Sequence, residues 1–330
     1  MINQFNPSFF LKNRHIQTMY ASFFSNMPWG RKFHKHDFFI EKFTLSDGDF
    51  IECYWYKEQT NTTDKPIVML FHGLAGSYKS HYIQGMMQEL DKHGFNSVVV
   101  HFRSCSGVMN KKVQTYHSGK TDDALEYMKS LKQRFAQTKL FGVGFSLGAN
   151  MLLKLLGEEK ENSLLTSAVA ISAPMMLDVC ANSINKGFSK LYEQMLVKNL
   201  NLLLEQKYET HDMQRIIGVK KEDVKNIKTF WEFDEIYTAK VNGFKSAQDY
   251  YTKCSAKQFL KNIKTPTLII HAKDDPFMSA KILPTKDEVS LHVELEIHEN
   301  GGHVGFINGS LFKPEYYLEK RVVEYFENLN

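Results

Sequence analysis

The stretch Gly142-Val143-Gly144-Phe145-Ser146-Leu147-Gly148-Ala149-Asn150 restricts what this chain can become more than any other. It follows a short apolar run at 139–143 and precedes a stretch of helical period at 150–156, so it reads as strand, sharp turn and helix. A Gly-x-Ser-x-Gly turn in that setting has the form of a nucleophile elbow. The serine there holds a strained backbone conformation, and the glycines on either side leave room for the adjoining strand and helix. Its hydroxyl is presented at the mouth of the sheet, beside the partial positive charge of a helix start. In a chain with 19 glycines the bare pattern can arise by accident; its place between a strand and a helix gives it weight.

Strand and helix alternate on both sides of this turn. Residues 38–45 and 50–56, joined through Ser46-Asp47-Gly48-Asp49, read as a hairpin. Ile67-Val68-Met69-Leu70-Phe71 is a continuous apolar run, as in a strand buried on both faces. Then follow a helix at 78–93, a strand at 95–102, a helix at 119–136 opened by Thr121-Asp122-Asp123, and a strand at 165–172. Strands at 266–270 and 291–297 and a helix at 314–329 finish the chain. Such alternation implies an α/β fold with a mostly parallel, doubly wound sheet.

Between Met175 and Asn262 the alternation breaks. A helix at 191–204 carries apolar residues at Tyr192, Leu196, Leu200 and Leu203, and 224–237 is rich in aromatics. The expectation is a helical lid, 175–262, inserted before the penultimate strand, on a core of 36–174 and 263–330. Residues 1–35 show no periodicity and are expected to lie on that core as an arm. A chain of 330 residues, 43% of them apolar, can bury a core of this size. Its aromatic content of 13% suits an apolar ligand cavity, although a plain core explains it as well.

Charge and cysteines narrow the classes. The net charge of +4 is spread along the chain, without the clustered basic face of a nucleic-acid binder. Cys53, Cys105, Cys180 and Cys254 lie far apart without a C-x-x-C pair and read as reduced thiols of a cytoplasmic protein. No signal-peptide pattern opens the chain and no apolar run reaches the ~18 residues of a membrane helix. Peripheral contact with lipid, through lid or arm, stays open, as does the oligomeric state.

In an open parallel sheet, reactive groups gather on loops past the carboxyl ends of strands. Three such loops carry chemistry: the elbow with Ser146; Ala272-Lys273-Asp274-Asp275-Pro276; and Glu299-Asn300-Gly301-Gly302-His303. The order Ser, Asp, His is that of the α/β-hydrolases. A serine hydroxyl needs a neutral imidazole to take its proton, which assigns His303, and an aspartate must orient that imidazole. Asp274 and Asp275 both qualify; Asp275 is favoured because Pro276-Phe277 follows it directly. Oxyanion donors are expected from His72-Gly73-Leu74-Ala75-Gly76-Ser77, through the Leu74 N–H, and from the Leu147 N–H after the nucleophile. No metal or cofactor is required. The other twelve histidines, among them His34, His36 and His298, read as packing or surface residues. Arg103 can bind an anionic head group or brace the loops by pairing with an acid such as Asp123, and the brace is preferred. His117 and Asp122 show an H-x-x-x-x-D spacing reminiscent of some acyltransferases, but an acid at a helix start explains Asp122.

Together with the elbow, the segments His72–Ser77, Phe102-Arg103-Ser104-Cys105-Ser106-Gly107, Tyr116-His117-Ser118-Gly119, Asp249-Tyr250-Tyr251, Asp274-Asp275-Pro276-Phe277 and Gly301-Gly302-His303-Val304-Gly305-Phe306 resemble the YheT-like branch of the α/β-hydrolases. His15-Ile16-Gln17-Thr18 and Ser46-Asp47-Gly48-Asp49 match as well, so the resemblance spans nearly the whole chain. One departure is Ser104, where that branch usually has glycine. The resemblance implies a lidded α/β-hydrolase fold with its triad on Ser146, Asp275 and His303. Its eukaryotic members include esterases and phospholipases of medium-chain acyl groups, and fungal enzymes that pass such groups to ethanol. The expected function is a serine hydrolase cleaving carboxylic esters of short- to medium-chain, lipid-like acyl groups through an acyl-enzyme. The alternatives are acyl transfer to an alcohol, a phospholipase, and, least favoured, a catalytically silent binding protein. A dehalogenase would need an aspartate in place of Ser146.

Overall fold

The structure is a computed structural model that describes residues 5–24, 38–57 and 64–329. His34, His36 and parts of the arm at 1–35 lie outside the described residues. Eight strands form one sheet: β1 (Phe39–Thr44), β2 (Phe50–Trp55), β3 (Ile67–Phe71), β4 (Asn96–Val100), β5 (Leu140–Phe145), β6 (Ser167–Ile171), β7 (Thr267–Ala272) and β8 (Val293–His298). They lie in the order β1-β2-β4-β3-β5-β6-β7-β8. The β1–β2 and β2–β4 pairs are antiparallel and every other pair is parallel.

The centre of the sheet is covered on both faces because strands such as β3 and β5 are buried at every position, not at alternate ones, while the edge strands β1 and β8 are not. In β3, Ile67, Met69 and Phe71 join one core layer, while Val68 and Leu70 join the other. Helices α2 (His81–Lys92), α3 (Asp122–Arg134) and α4 (Leu147–Glu159) pack on the sheet, and α1 (Arg14–Phe24) precedes it in the arm. The first layer packs on α3 and α4, and the second on α2 and the closing helix Tyr317–Glu327. In α2 the buried residues Ile83, Met86, Met87 and Leu90 recur at the spacing of one helical face.

Between β6 and β7 the chain is helical, led by α5 (Leu177–Ile184) and α6 (Ser189–Lys207). The expected helix at 191–204 is α6, longer at both ends. The aromatic stretch at 224–237 is a 3-10 turn Lys221–Asn226, a short helix Phe230–Phe233 and a π turn Asp234–Thr238. The fully buried Lys207 ties α6 to the core, donating to the Asn110 side chain at 2.6 Å and to the Lys112 carbonyl at 2.6 Å.

Two expectations need correction. The arm is not aperiodic in structure: α1 buries Gln17, Tyr20 and Ala21 against the core, a helical spacing concealed in the sequence by a polar residue on the inner face. The region read as one helix, 314–329, begins instead as a strand: β9 (Ile307–Ser310) and β10 (Lys313–Tyr316) form an antiparallel hairpin before the closing helix.

Two buried histidines past β3 and β4 make the fold acid-sensitive. His72 Nδ1 lies 2.7 Å from the Gly73 carbonyl, and its Nε2 accepts the Phe102 N–H at 3.3 Å. His101 Nδ1 lies 2.9 Å from the Glu52 carbonyl, and its Nε2 accepts the Tyr78 N–H at 3.0 Å. Each ring therefore donates through Nδ1 and accepts through Nε2, which only the neutral form can do. Burial pushes His72 down to about 4 and His101 down to about 3, the latter also opposed by His72. The unfolded chain takes up these protons below ~6.5 and the fold does not, so the stability they contribute is present above that pH and lost as pH falls. Unfolding free energy from urea titrations is expected to drop by roughly 4 kcal/mol between about pH 7 and 5 on account of this pair. Stability that stays level over that range would contradict it.

Candidate active site

β5 ends at Phe145 and α4 begins at Leu147, leaving Ser146 alone in the turn at φ 51° and ψ −118°. Its N–H donates to the Ile171 carbonyl at 2.8 Å, so β6 helps to hold the strained residue. A Cβ on Gly144 would stand 2.6 Å from the Ala149 Cα, and one on Gly148 would stand 2.4 Å from the Phe71 carbonyl. These two positions admit only glycine, since the contacts are with backbone.

The three loops meet at this point. His303 Nε2 lies 2.9 Å from Ser146 Oγ, and His303 Nδ1 lies 2.8 Å from Asp275 Oδ2. A carboxylate only accepts, so the Nδ1–H donates to Asp275 and the neutral ring is left with Nε2 as acceptor for the serine O–H. Asp275 Oδ1 also accepts the Phe277 N–H at 2.8 Å, and the Phe277 ring stacks on the imidazole with centroids 4.1 Å apart. Asp275 and His303 are 3% and 9% exposed. Asp274 does not touch the imidazole. Its carboxylate accepts the Gly302 N–H at 3.0 Å and the Asn300 amide at 3.3 Å, bracing the histidine loop, and burial pushes its pKa up.

Sequence reasoning missed how far α1 contributes. The His303 N–H donates to Thr18 Oγ1 at 2.9 Å, and Gln17 pairs with the Ile307 backbone through its Nε2 at 3.0 Å and its Oε1 at 2.8 Å. A buried glutamine matched to one backbone segment is the signal that could have revealed the contact, but the sequence does not say which segment.

The turn after β3 touches Ser146 directly: a Cβ on Gly73 would lie 3.2 Å from the Ser146 Cβ. The Gly73 N–H donates to the Tyr82 hydroxyl at 3.0 Å and the Ala75 N–H to the Tyr116 hydroxyl at 2.9 Å. The Leu74 N–H between them and the Leu147 N–H at the start of α4 have no acceptor among the described residues. Both residues line a cavity of about 630 Å3 that also reaches Ser146 and His303. Its far walls are apolar, with Leu177, Leu196, Leu200 and Phe233 from the helical insertion and Met19 from α1. Among the described residues one carboxyl group lines it: Asp234 accepts the Tyr251 hydroxyl at 2.7 Å, and burial pushes its pKa up to about 6.

Arg103 is a brace. It is 3% exposed, grips Asp123 through Nε at 2.7 Å and Nη2 at 2.6 Å, and reaches Asp47 at 2.9 Å and Asp49 at 3.2 Å. Ser104 beside it sits at φ 70°, where glycine is least strained, and its hydroxyl donates to Asn110 Oδ1 at 2.6 Å. His117 lines the cavity and accepts the Gly119 N–H at 3.2 Å; Asp122 pairs instead with Lys120 at 2.9 Å, so the H-x-x-x-x-D residues share no hydrogen bond. His298 packs among Phe5, Phe306 and Tyr317. All four cysteines are free thiols.

A mostly parallel sheet with Ser146, Asp275 and His303 meeting at its carboxyl edge defines an α/β hydrolase. The chain belongs to that family, in its YheT-like branch: the α/β hydrolase fold model matches residues 66–310. It is 38% identical over 322 residues to YheT of Escherichia coli (strain K12), whose name proposes an esterase, covering 98% of this chain and 92% of that protein. It is 29% identical over 246 residues to the monoacylglycerol lipase of Saccharomyces cerevisiae, covering 73% of this chain and 55% of that enzyme. Among solved structures, the Pyrococcus furiosus esterase Pf2001 shares the fold at a TM-score of 0.58 and 20% identity, over 89% of this chain and 94% of its own.

Proposed function

We propose that the protein is a carboxylic ester hydrolase that cleaves short- to medium-chain acyl esters through an acyl-enzyme on Ser146. The observation that carries the reading is the line of contacts from Asp275 to His303 to Ser146, opening into an apolar cavity of about 630 Å3. His303 Nε2 takes the hydroxyl proton as Ser146 Oγ attacks the ester carbonyl, and Asp275 holds the ring in the required tautomer and stabilises the imidazolium. The N–H groups of Leu74 and Leu147 receive the oxyanion. Collapse expels the alcohol with the proton from His303; water then attacks the acyl-enzyme by the same relay and releases the acid. The helical insertion, 175–262, acts as the lid that walls in the acyl chain. The esterase and lipase names of its relatives favour the same reading. Among the described residues no helix is long and apolar enough to cross a membrane.

Hydrolysis of p-nitrophenyl esters from acetate to laurate tests this. Each methylene that enters the cavity is worth at most about 0.8 kcal/mol. The ratio kcat/KM is therefore expected to climb from acetate, peak between butyrate and decanoate, and fall at laurate once the cavity is full. Rates independent of chain length would contradict the assignment of the cavity to the acyl chain.

A further inference from the structure

Around the mouth of the cavity, large apolar side chains point outward. Phe188, Leu191 and Met195, on one face at the start of α6, are 53%, 57% and 56% exposed, yet they also line the cavity. In the turn before α1, Phe9 and Phe10 are 83% and 66% exposed. The two segments adjoin: the His15 ring lies 4.7 Å from the Phe188 ring, and His15 Nδ1 lies 3.1 Å from the Tyr192 hydroxyl. Such a patch beside a cavity entrance marks an interaction site more than a packing accident.

Charge says what kind of partner it fits. Interleaved with these residues are the exposed cations Lys12, Arg14, Lys186 and Lys190, none of them in an ion pair among the described residues. Neither 5–24 nor 185–192 contains an acidic residue, and the first Asp or Glu of the whole chain is Asp37. Two acids feel these cations, Asp274 the charge of Arg14 and Glu193 that of Lys190, but Asp274 spends its oxygens on Gly302 and Asn300. Glu193, next on α6, is fully buried and accepts the Phe230 N–H at 3.0 Å. Aromatic and aliphatic side chains with basic residues between them, and no acids, match the boundary between head groups and acyl chains of an anionic lipid layer.

We infer that this face, formed by Phe9, Phe10, Lys12 and Arg14 with Lys186, Phe188, Lys190 and Leu191, docks on anionic phospholipid surfaces. Docking sets the cavity mouth on the lipid, so that an apolar ester passes from the layer to Ser146 without crossing water. The proposal shares with the functional reading the assignment of the cavity to the acyl chain, but its test does not need turnover.

The full chain is sedimented with vesicles of equal parts phosphatidylcholine and phosphatidylglycerol, and with vesicles of phosphatidylcholine alone. It is expected to bind the mixed vesicles, to be released as salt rises, and to bind the neutral ones weakly. Lys186→Gln/Lys190→Gln is expected to weaken binding about 30-fold. Phe9→Ser/Phe10→Ser is expected to weaken it independently. Both variants should hydrolyse dissolved p-nitrophenyl butyrate as the parent does, which also verifies folding. Absence of binding to either vesicle, or binding that both variants leave intact, overturns the proposal. So does a parent that self-associates through this face and is made monomeric by the same substitutions.

Discussion

Replacing Ser146 by alanine is expected to lower kcat roughly 10^5- to 10^6-fold, the range seen when a triad nucleophile is removed. The size follows from the geometry. Ser146 Oγ is the group placed 2.9 Å from His303 Nε2, and the described structure offers no second hydroxyl at that nitrogen. What remains after its loss is the contribution of substrate binding and the oxyanion donors, about 10^3- to 10^4-fold over water. The melting temperature should barely move, because the strained backbone is held by the Ile171 carbonyl and the glycines, not by the hydroxyl. A variant that keeps a tenth of the activity would place the chemistry elsewhere.

The second large effect separates two neighbouring aspartates. Asp275→Asn is expected to lower kcat about 10^4-fold, because an amide facing His303 Nδ1 favours the tautomer with its proton on Nε2, where it cannot accept from serine. Asp274→Asn is expected to cost less than about tenfold: it weakens one brace of the histidine loop, a hydrogen bond worth about 1 kcal/mol. Steady-state kinetics on one ester decides between them. The reverse pattern would move the orienting role to Asp274, although the Asp275 carboxylate is the one at 2.8 Å from the ring.

Much of this site was legible because its signals are local. Gly144 and Gly148 are spelled out by the backbone clashes that any Cβ would cause; Ser146 and Asp275 each follow a strand whose apolar run marks it as buried, and His303 follows β8, where apolar and polar residues alternate. Choosing between Asp274 and Asp275 was harder, since both occupy the same loop and only the direction of the side chain separates them. The partners of Arg103 were half legible: Asp123 was named, but Asp47 and Asp49 come from a hairpin turn more than fifty residues away. α1 stayed hidden because its buried face holds Gln17, and a polar side chain is read as exposed unless its distant partner, the Ile307 backbone, is known. The β9–β10 hairpin stayed hidden because Pro314 equally well opens a helix, and only its pairing with Gly309 makes it a strand residue.

The central claim is that Ser146 is an activated nucleophile, and covalent trapping tests it most directly. The protein is treated with a fluorophosphonate, digested and mapped by mass spectrometry, with His303→Ala in parallel. The account predicts one phosphonylated residue, Ser146, labelled quickly in the parent and far more slowly in the variant. A parent that stays unlabelled, or that carries the adduct on another residue, would contradict it.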